Sequence, residues 1–423
     1  MNNWQQLKLI DVADIKLSNV DKKTKPGERT IKLCNYTDVY KNSFINSDKA
    51  EDFMVASCKE SEYEKFILKR GQVAITKDSE KPDDIGIPTY IAEDFDDVVL
   101  GYHLSLITPV KNKLDGRFLN YWLNTKHAKR YFENNAGGSG QRCTLILDTI
   151  KSIPLHLPEL QVQKQIAKVL SDLDAKIEVN KKITAALEAM AKLIYDYWFV
   201  QFDFPDENGK PYKSSGGKMV YSKELKREIP EGWEVQELES YADFKNGKGM
   251  KKELLSENGQ FPVFGSNGYV GKTDKFLFDK PVIAIGRVGA NYGEVHYSID
   301  PCWITDNAVT SQPKNKVYLW WLLFALKGIN YSNIAGGSAQ PLITQGKLKA
   351  LSFPFPKSDL FNQFHEIINP IYIEINNVLK QNQKLSELRD WLLPMLMNGQ
   401  VTVGEAKNEL GMVAEDNGKY GEV

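Results

Sequence analysis

The chain contains its own plan twice, and this duplication restricts the possible folds more than any single motif. Trp4, Leu9, Ala13, Asp14 and Lys16 return at the same spacing as Trp233, Leu238, Ala242, Asp243 and Lys245. Farther along, Ala136-Gly-Gly-Ser-Gly-Gln141 returns as Ala335-Gly-Gly-Ser-Ala-Gln340, and Ile153-Pro-Leu-His-Leu-Pro158 is answered by Leu351-Ser-Phe-Pro-Phe-Pro356. The landmarks keep their order, so each half runs from a Trp opening through a globular body, a glycine-rich loop and a proline-ended strand into a helical segment. A repeat this long marks a duplicated domain rather than a solenoid.

The helical segments carry apolar residues at alternating steps of three and four. The first stripe is Ile166, Leu170, Leu173, Ile177, Asn180, Thr184, Leu187, Ala191, Ile194 and Trp198; its copy runs from Phe364 through Ile375, Asn382 and Leu385 to Leu396. This is coiled-coil spacing. Two helices of about 35–40 residues, some 50–60 Å long at 1.5 Å per residue, bury such stripes most readily on each other as an antiparallel pair. Asn180 and Asn382 would then meet across the seam and fix its register. Pro370 lacks a helical N–H and clashes with the preceding turn; the second segment is therefore expected to kink or restart there, with Asn369 as N-cap.

The fold class expected is α+β: two similar bodies, separated by two long antiparallel coiled-coil helices, in a pseudo-two-fold repeat. The divisions are a body at 1–157, a central helix at 158–200, a linker or arm rich in Gly, Pro, Ser and Lys at 201–230, a second body at 231–357, a distal helix at 358–398 and a mobile tail at 399–423. Short β-type runs such as Gln72–Thr76 and Pro281–Ile285 alternate with short helical stretches such as Phe118–Leu123 and Leu319–Phe324.

With 42% hydrophobic and 26% charged residues the chain is an ordinary globular sequence, and its net charge of −1 excludes a globally basic nucleic-acid binder. DNA contact would have to come from local patches such as Lys245, Lys248, Lys251, Lys252 and Lys272. Cys34, Cys58, Cys143 and Cys302 stand apart without a CxxC pair, which fits a reducing, cytoplasmic setting. No stretch approaches the length of a membrane span.

Enzyme motifs are only approximated. Gly265-Ser-Asn-Gly-Tyr-Val-Gly271-Lys272-Thr273 has Ser266 where a phosphate-binding loop needs glycine. Asn369-Pro-Ile-Tyr372 imitates a methyltransferase strip but sits in the coiled-coil segment. Pro205-Asp206 with Glu224-Leu-Lys226 imitates a nuclease pattern but lies in the polar linker. The five histidines are isolated, and no catalytic or metal-binding set emerges.

The succession of bodies, glycine-rich loops, proline-ended strands and the helices LQVQKQIAKVLSDLDAKIEVNKK and LSELRDWLLPMLMNGQ resembles the specificity subunits of type I restriction-modification systems. Gly265–Gly271 with Pro281–Gly289, and Lys81–Gly86 with Gly101-Tyr-His-Leu, are similar to the target recognition domains of that family. The resemblance implies a non-catalytic subunit that binds double-stranded DNA at a bipartite, asymmetric target and docks two methyltransferase subunits and, through them, restriction subunits. It also implies no cofactor in this chain; S-adenosylmethionine, ATP and Mg would belong to partner chains.

Amide and guanidinium groups suit bidentate contacts with adenine and guanine. The candidate DNA-binding residues are Thr76, Lys77, Gln141, Arg142, Lys248, Asn267, Lys272, Arg287 and Gln340. Because Gln141 and Gln340 recur in both halves, loop organisation is favoured over base contact for them. A coiled-coil adaptor without DNA readout, or a specificity module of a related methyltransferase or nuclease system, remains the competing class.

Overall fold

The computed structural model describes residues 4–138, 142–336, 341–356, 359–406 and 408. The chain divides into two compact units, Met1–Lys181 with Lys380–Val423, and Lys182–Leu379. Each of the two long helices, Leu160–Tyr195 and Leu360–Met397, has residues in both units.

In the first unit a five-stranded sheet is ordered Ala13–Leu17, Leu104–Pro109, Val73–Thr76, Pro88–Ile91, Phe44–Ile45. A three-stranded sheet places Arg29–Cys34 between antiparallel Met54–Cys58 and parallel Val98–Leu100, and Gln5–Lys8 pairs with Pro154–Leu157. Alternation explains the opening motif: Ala13 and Ile15 are buried while Asp14 and Lys16 face solvent, the period-two pattern of a strand with one wet face.

The second unit repeats this plan. Its four-stranded sheet is ordered Ala242–Asn246, Ala308–Pro313, Val282–Gly286, Val295–Ser298. Phe261–Gly265 again lies between an antiparallel strand, Gly268–Thr273, and a parallel one, Trp303–Ile304, and Glu234–Glu237 pairs with Ser352–Phe355. The equivalence holds bond by bond. Leu9 N–H donates to Ile153 O at 3.1 Å and Leu238 N–H to Leu351 O at 2.9 Å; Val110 N–H donates to Val12 O and Lys314 N–H to Tyr241 O, each at 2.8 Å.

A glycine over an aromatic side chain also recurs. Gly86 (φ +75°) and Gly293 (φ +85°) donate their N–H groups to Thr76 O (3.0 Å) and Gly286 O (2.7 Å). A Cβ on Gly86 would stand 2.3 Å from the Phe132 ring, and one on Gly293 2.7 Å from Tyr331 Cβ.

The long helices run antiparallel in both units, and their stripes join the cores of the bodies. In the first unit Ile166, Leu170, Leu173 and Ile177 are buried with Leu385, Leu392 and Leu396. Asn180, 1% exposed, donates through Nδ2 to Gln381 Oε1 (2.6 Å) and Asn382 Oδ1 (2.8 Å), while Asn382 Nδ2 donates to Ile177 O at 3.4 Å. Asp174 accepts from Arg389 Nη1 at 3.0 Å and from the Tyr121 hydroxyl at 2.5 Å. Burial pushes the Tyr121 phenol far up, so it remains a donor. In the second unit Ala191, Tyr195 and Trp198 pack with Phe364, Ile368 and Tyr372.

Three expectations are corrected. The helix Leu360–Met397 continues through Pro370 and Pro394 without a restart. Asn369 does not cap; its Oδ1 accepts from Trp320 Nε1 at 3.1 Å, and Tyr372 stacks on Trp320 with ring centroids 4.1 Å apart. Burial of Ile368, Tyr372 and Ile375 outweighs the cost of the proline, about 3 kcal/mol. Residues 201–230, read as a linker, fold onto the second core: Phe202, Phe204 and Ile229 are buried and Met219–Ser222 pairs with Arg227–Pro230. At the other end, Val401, Val403 and Ala406 of the expected tail pack on the first core; positions 407 and 409–423 lie outside the described residues.

Gly86→Ala and Gly293→Ala should each lose about 3 kcal/mol, combining left-handed strain with overpacking. Gly27→Ala, at φ +81° with open space around it, should lose only about 1 kcal/mol. Urea unfolding of the three variants checks the ranking; equal losses would mean the aromatic contact is immaterial.

Candidate nucleic-acid interface

In each unit a basic residue leaves the end of a central strand and is clamped by two backbone hydrogen bonds. Lys77 follows Val73–Thr76; its N–H donates to His103 O at 3.0 Å, and its carbonyl accepts from Leu145 N–H at 2.7 Å. Arg287 follows Val282–Gly286 in the same way, with its N–H on Asn307 O and its carbonyl accepting from Ile343 N–H, both at 3.0 Å. Leu145 and Ile343 lie just beyond the two glycine-rich loops. Lys77 and Arg287 are thus equivalent positions, as are His103 and Asn307.

The surroundings of the two basic residues differ. In the first unit Asp78 accepts from Lys77 Nζ at 2.7 Å and from Thr144 Oγ1 at 2.7 Å, and it faces His103 Nδ1 at 2.5 Å. Burial pushes the Asp78 carboxyl up, but Lys77, His103 and Thr144 together outweigh it and hold the group below the ordinary carboxylate range. Thr144 belongs to Cys143–Thr144, which pairs with Gly137–Gly138 and Asp78–Ser79. The carboxylate therefore ties the glycine-rich hairpin to the strand end. His103 sits at φ +69°, and its ring lies tilted against Tyr102, with centroids 4.0 Å apart and an interplanar angle of 44°.

In the second unit the residue after Arg287 is Val288, whose carbonyl accepts from Ser266 Oγ at 2.8 Å. Arg287 Nη1 reaches Asp306 O only at 3.4 Å, and its buried Nε has no hydrogen-bond partner among the described residues. Lys248 N–H donates to Ile304 O, so Lys248 and Arg287 flank the same segment, Ile304–Asn307. Asn267 is exposed at the turn of the hairpin between Phe261–Gly265 and Gly268–Thr273.

The other sequence candidates fall as follows. Thr76 is fully buried, and its hydroxyl accepts from Ile87 N–H at 3.0 Å, so it serves the interior. Arg142 is exposed beside Cys143. Lys272 is partly exposed on Gly268–Thr273. Gln141 and Gln340 lie outside the described residues. Sequence reading passed over Asp78, His103 and Asn307. The signal available was the alignment of Gln72–Lys77 on Val282–Arg287 together with the residue preceding each following strand, His103 and Asn307.

Two units of one plan, each holding a basic residue on the same backbone frame, make this a duplicated protein. The chain belongs to the type I restriction modification DNA specificity domain family, whose sequence model matches residues 1–189 and 230–386. It is the specificity subunit of a type I restriction-modification system and non-catalytic as such.

Among its relatives is the type I restriction enzyme MjaIX specificity subunit of Methanocaldococcus jannaschii, 28% identical over 70% of this chain and 71% of that protein. The HindI specificity subunit of Haemophilus influenzae is 21% identical across 95% of this chain and 100% of its own length. The crystal structure of the S subunit from M. genitalium shares the fold, with a TM-score of 0.62 and 17% identity over 93% of this chain and 96% of that one. Among the described residues no helix is long and apolar enough to cross a membrane.

Because the folded-state pKa of Asp78 is depressed, its contribution to stability is complete above the unfolded value near about 3.9 and is lost as pH falls through the folded value. Asp78→Asn should therefore cost about 1–3 kcal/mol between about pH 5 and 7, and the difference from wild type should shrink below about pH 4. Urea unfolding across that range measures it; a difference that does not vary with pH would exclude the charged cluster as the cause.

Proposed function

We propose that the two units read the two different halves of a bipartite, asymmetric duplex target. On this reading the long helices set the spacing between the halves, and the chain delivers that address to two methyltransferase subunits and, through them, to restriction subunits. S-adenosylmethionine, ATP and Mg act in those partner chains, and the work is done in the cytoplasm, where the chromosome is.

The observation that carries this reading is the repeated frame with unlike side chains: Lys77 and His103 in one unit, Arg287 and Asn307 in the other. One scaffold with two sets of readers suits a target whose halves differ in sequence. An adaptor that bound only proteins would have no use for paired frames that present base-reading groups.

The net charge of −1 leaves no general attraction for phosphate, so affinity rests on local contacts and on the complex with the methyltransferase. Methylation mapping with the assembled complex should return one two-part motif, and binding should weaken as salt rises. Matched insertions of four residues after Thr184 and after Val378 add about 6 Å to each helix. They should lengthen the unread spacer by one or two base pairs and leave both half-sites unchanged. An unchanged spacer would refute the helices as the measure of distance.

A further inference from the structure

Building on the two-part reading, we propose that residues 77 and 103 in the first unit, and 287 and 307 in the second, are the specificity-determining pairs, with Asp78 positioning the first. Equivalent backbone hydrogen bonds place the members of each pair side by side. Where the repeat is shared it is structural: Gly86 and Gly293 make room for Phe132 and Tyr331, and Leu145 and Ile343 are both buried aliphatics. Positions 77/287 and 103/307 differ between the units, and their side chains can hydrogen-bond to base edges.

His103 is set up for such a role in three ways. It holds a left-handed backbone conformation, φ +69°, that costs a non-glycine residue energy and that occurs preferentially at functional positions. Its ring is gripped between Tyr102 and Asp78, which fixes its orientation. With Nδ1 engaged by the carboxylate, Nε2 is the remaining polar atom; it makes no hydrogen bond among the described residues, and the side chain is 34% exposed. When its Nδ1 proton serves Asp78, Nε2 is an acceptor. It therefore suits a base that offers an amino group in the major groove, adenine N6 or cytosine N4.

The second pair has complementary chemistry. Asn307 is exposed, and its amide makes no hydrogen bond among the described residues; an asparagine amide matches adenine N6 and N7. The Arg287 guanidinium, tied only by the long contact to Asp306 O, matches guanine O6 and N7. Lys77 Nζ is held by Asp78, as is His103 Nδ1, so within the first pair the polar atom without a hydrogen bond among the described residues is His103 Nε2.

The test uses the full chain assembled with its methyltransferase partner, duplex libraries and methylation mapping. His103→Asn should change the preferred base at one or two adjacent positions in one half-site, with a loss of about tenfold or more on the original base. Asn307→His should do the same in the other half only. Asp78→Asn should weaken discrimination at the position that His103→Asn alters and nowhere else, a readout that a general loss of stability would not give. Should His103→Asn fail to assemble, Asn307→His carries the test alone, since that side chain is exposed. Unaltered base preference in both halves, or a uniform fall in methylation with the target unchanged, would overturn the inference. A wild-type complex with one uninterrupted target would refute the two-part reading beneath it as well.

Discussion

A long amphipathic helix cannot leave its apolar stripe in water, and how that stripe is covered governs the rest of this molecule. In the first unit the stripe of Leu160–Tyr195 meets that of Leu360–Met397 and also the body, where Phe118, Leu119 and Trp122 are buried in the same core. In the second unit the continuation of both helices closes over Trp320, Trp321 and Phe324. The helices are therefore part of each core rather than appendages to it. Burying a large apolar side chain contributes about 1.5–3 kcal/mol, enough for the helix to pass through Pro370.

Apolar contacts alone tolerate slippage of one helix past another; polar groups in the seam do not. Asn180 donates to both Gln381 and Asn382, and Arg389 reaches across to Asp174, which Tyr121 of the body also contacts. A shift of one turn would leave the buried Asn180 amide without its partners, at about 1–3 kcal/mol. The Tyr121–Asp174–Arg389 chain also fixes the body against the helix pair in the first unit. A rigid attachment of this sort is what a reader requires if its register on DNA is to be defined.

The amino-acid sequence made the periodic and duplicated features legible because they are local or self-comparing: the heptad stripes, the Trp opening and the glycine-rich loops. What it concealed depends on distant partners. Residues 201–230 have linker composition, yet Phe204 stacks on Tyr212 at 4.7 Å and on Trp233 at 5.3 Å, and a few aromatics outweigh many glycines once a core is available. Thr76 resembles a loop hydroxyl, but Ile87 N–H satisfies it inside the sheet. His103 looked isolated because its partner Asp78 lies in a different strand connection. Among the candidate readers, Lys77 and Arg287 stand in the sequence as basic loop residues not shared by the two halves; their equivalence follows only from the hydrogen-bond frame.

On the proposed two-part reading, that frame would let one fold hold two specificities. Its bonds run between backbone groups, Lys77 with His103 and Leu145, Arg287 with Asn307 and Ile343, and such bonds need no particular side chain, although His103 makes its bond at φ +69°. The proposed reading positions could therefore change without loss of the scaffold, provided that any partly buried charge is balanced. The first unit meets this condition with Asp78 surrounded by Lys77, His103 and Thr144; the second has Val288 at the corresponding place. Removing Lys77 or His103 alone would leave a half-compensated carboxylate, whereas exchanging the whole cluster for the arginine, valine and asparagine of the second unit would not. On the proposed reading, exchanges at the first unit therefore cost least stability when the cluster changes together, whereas those at the second unit can be made one residue at a time.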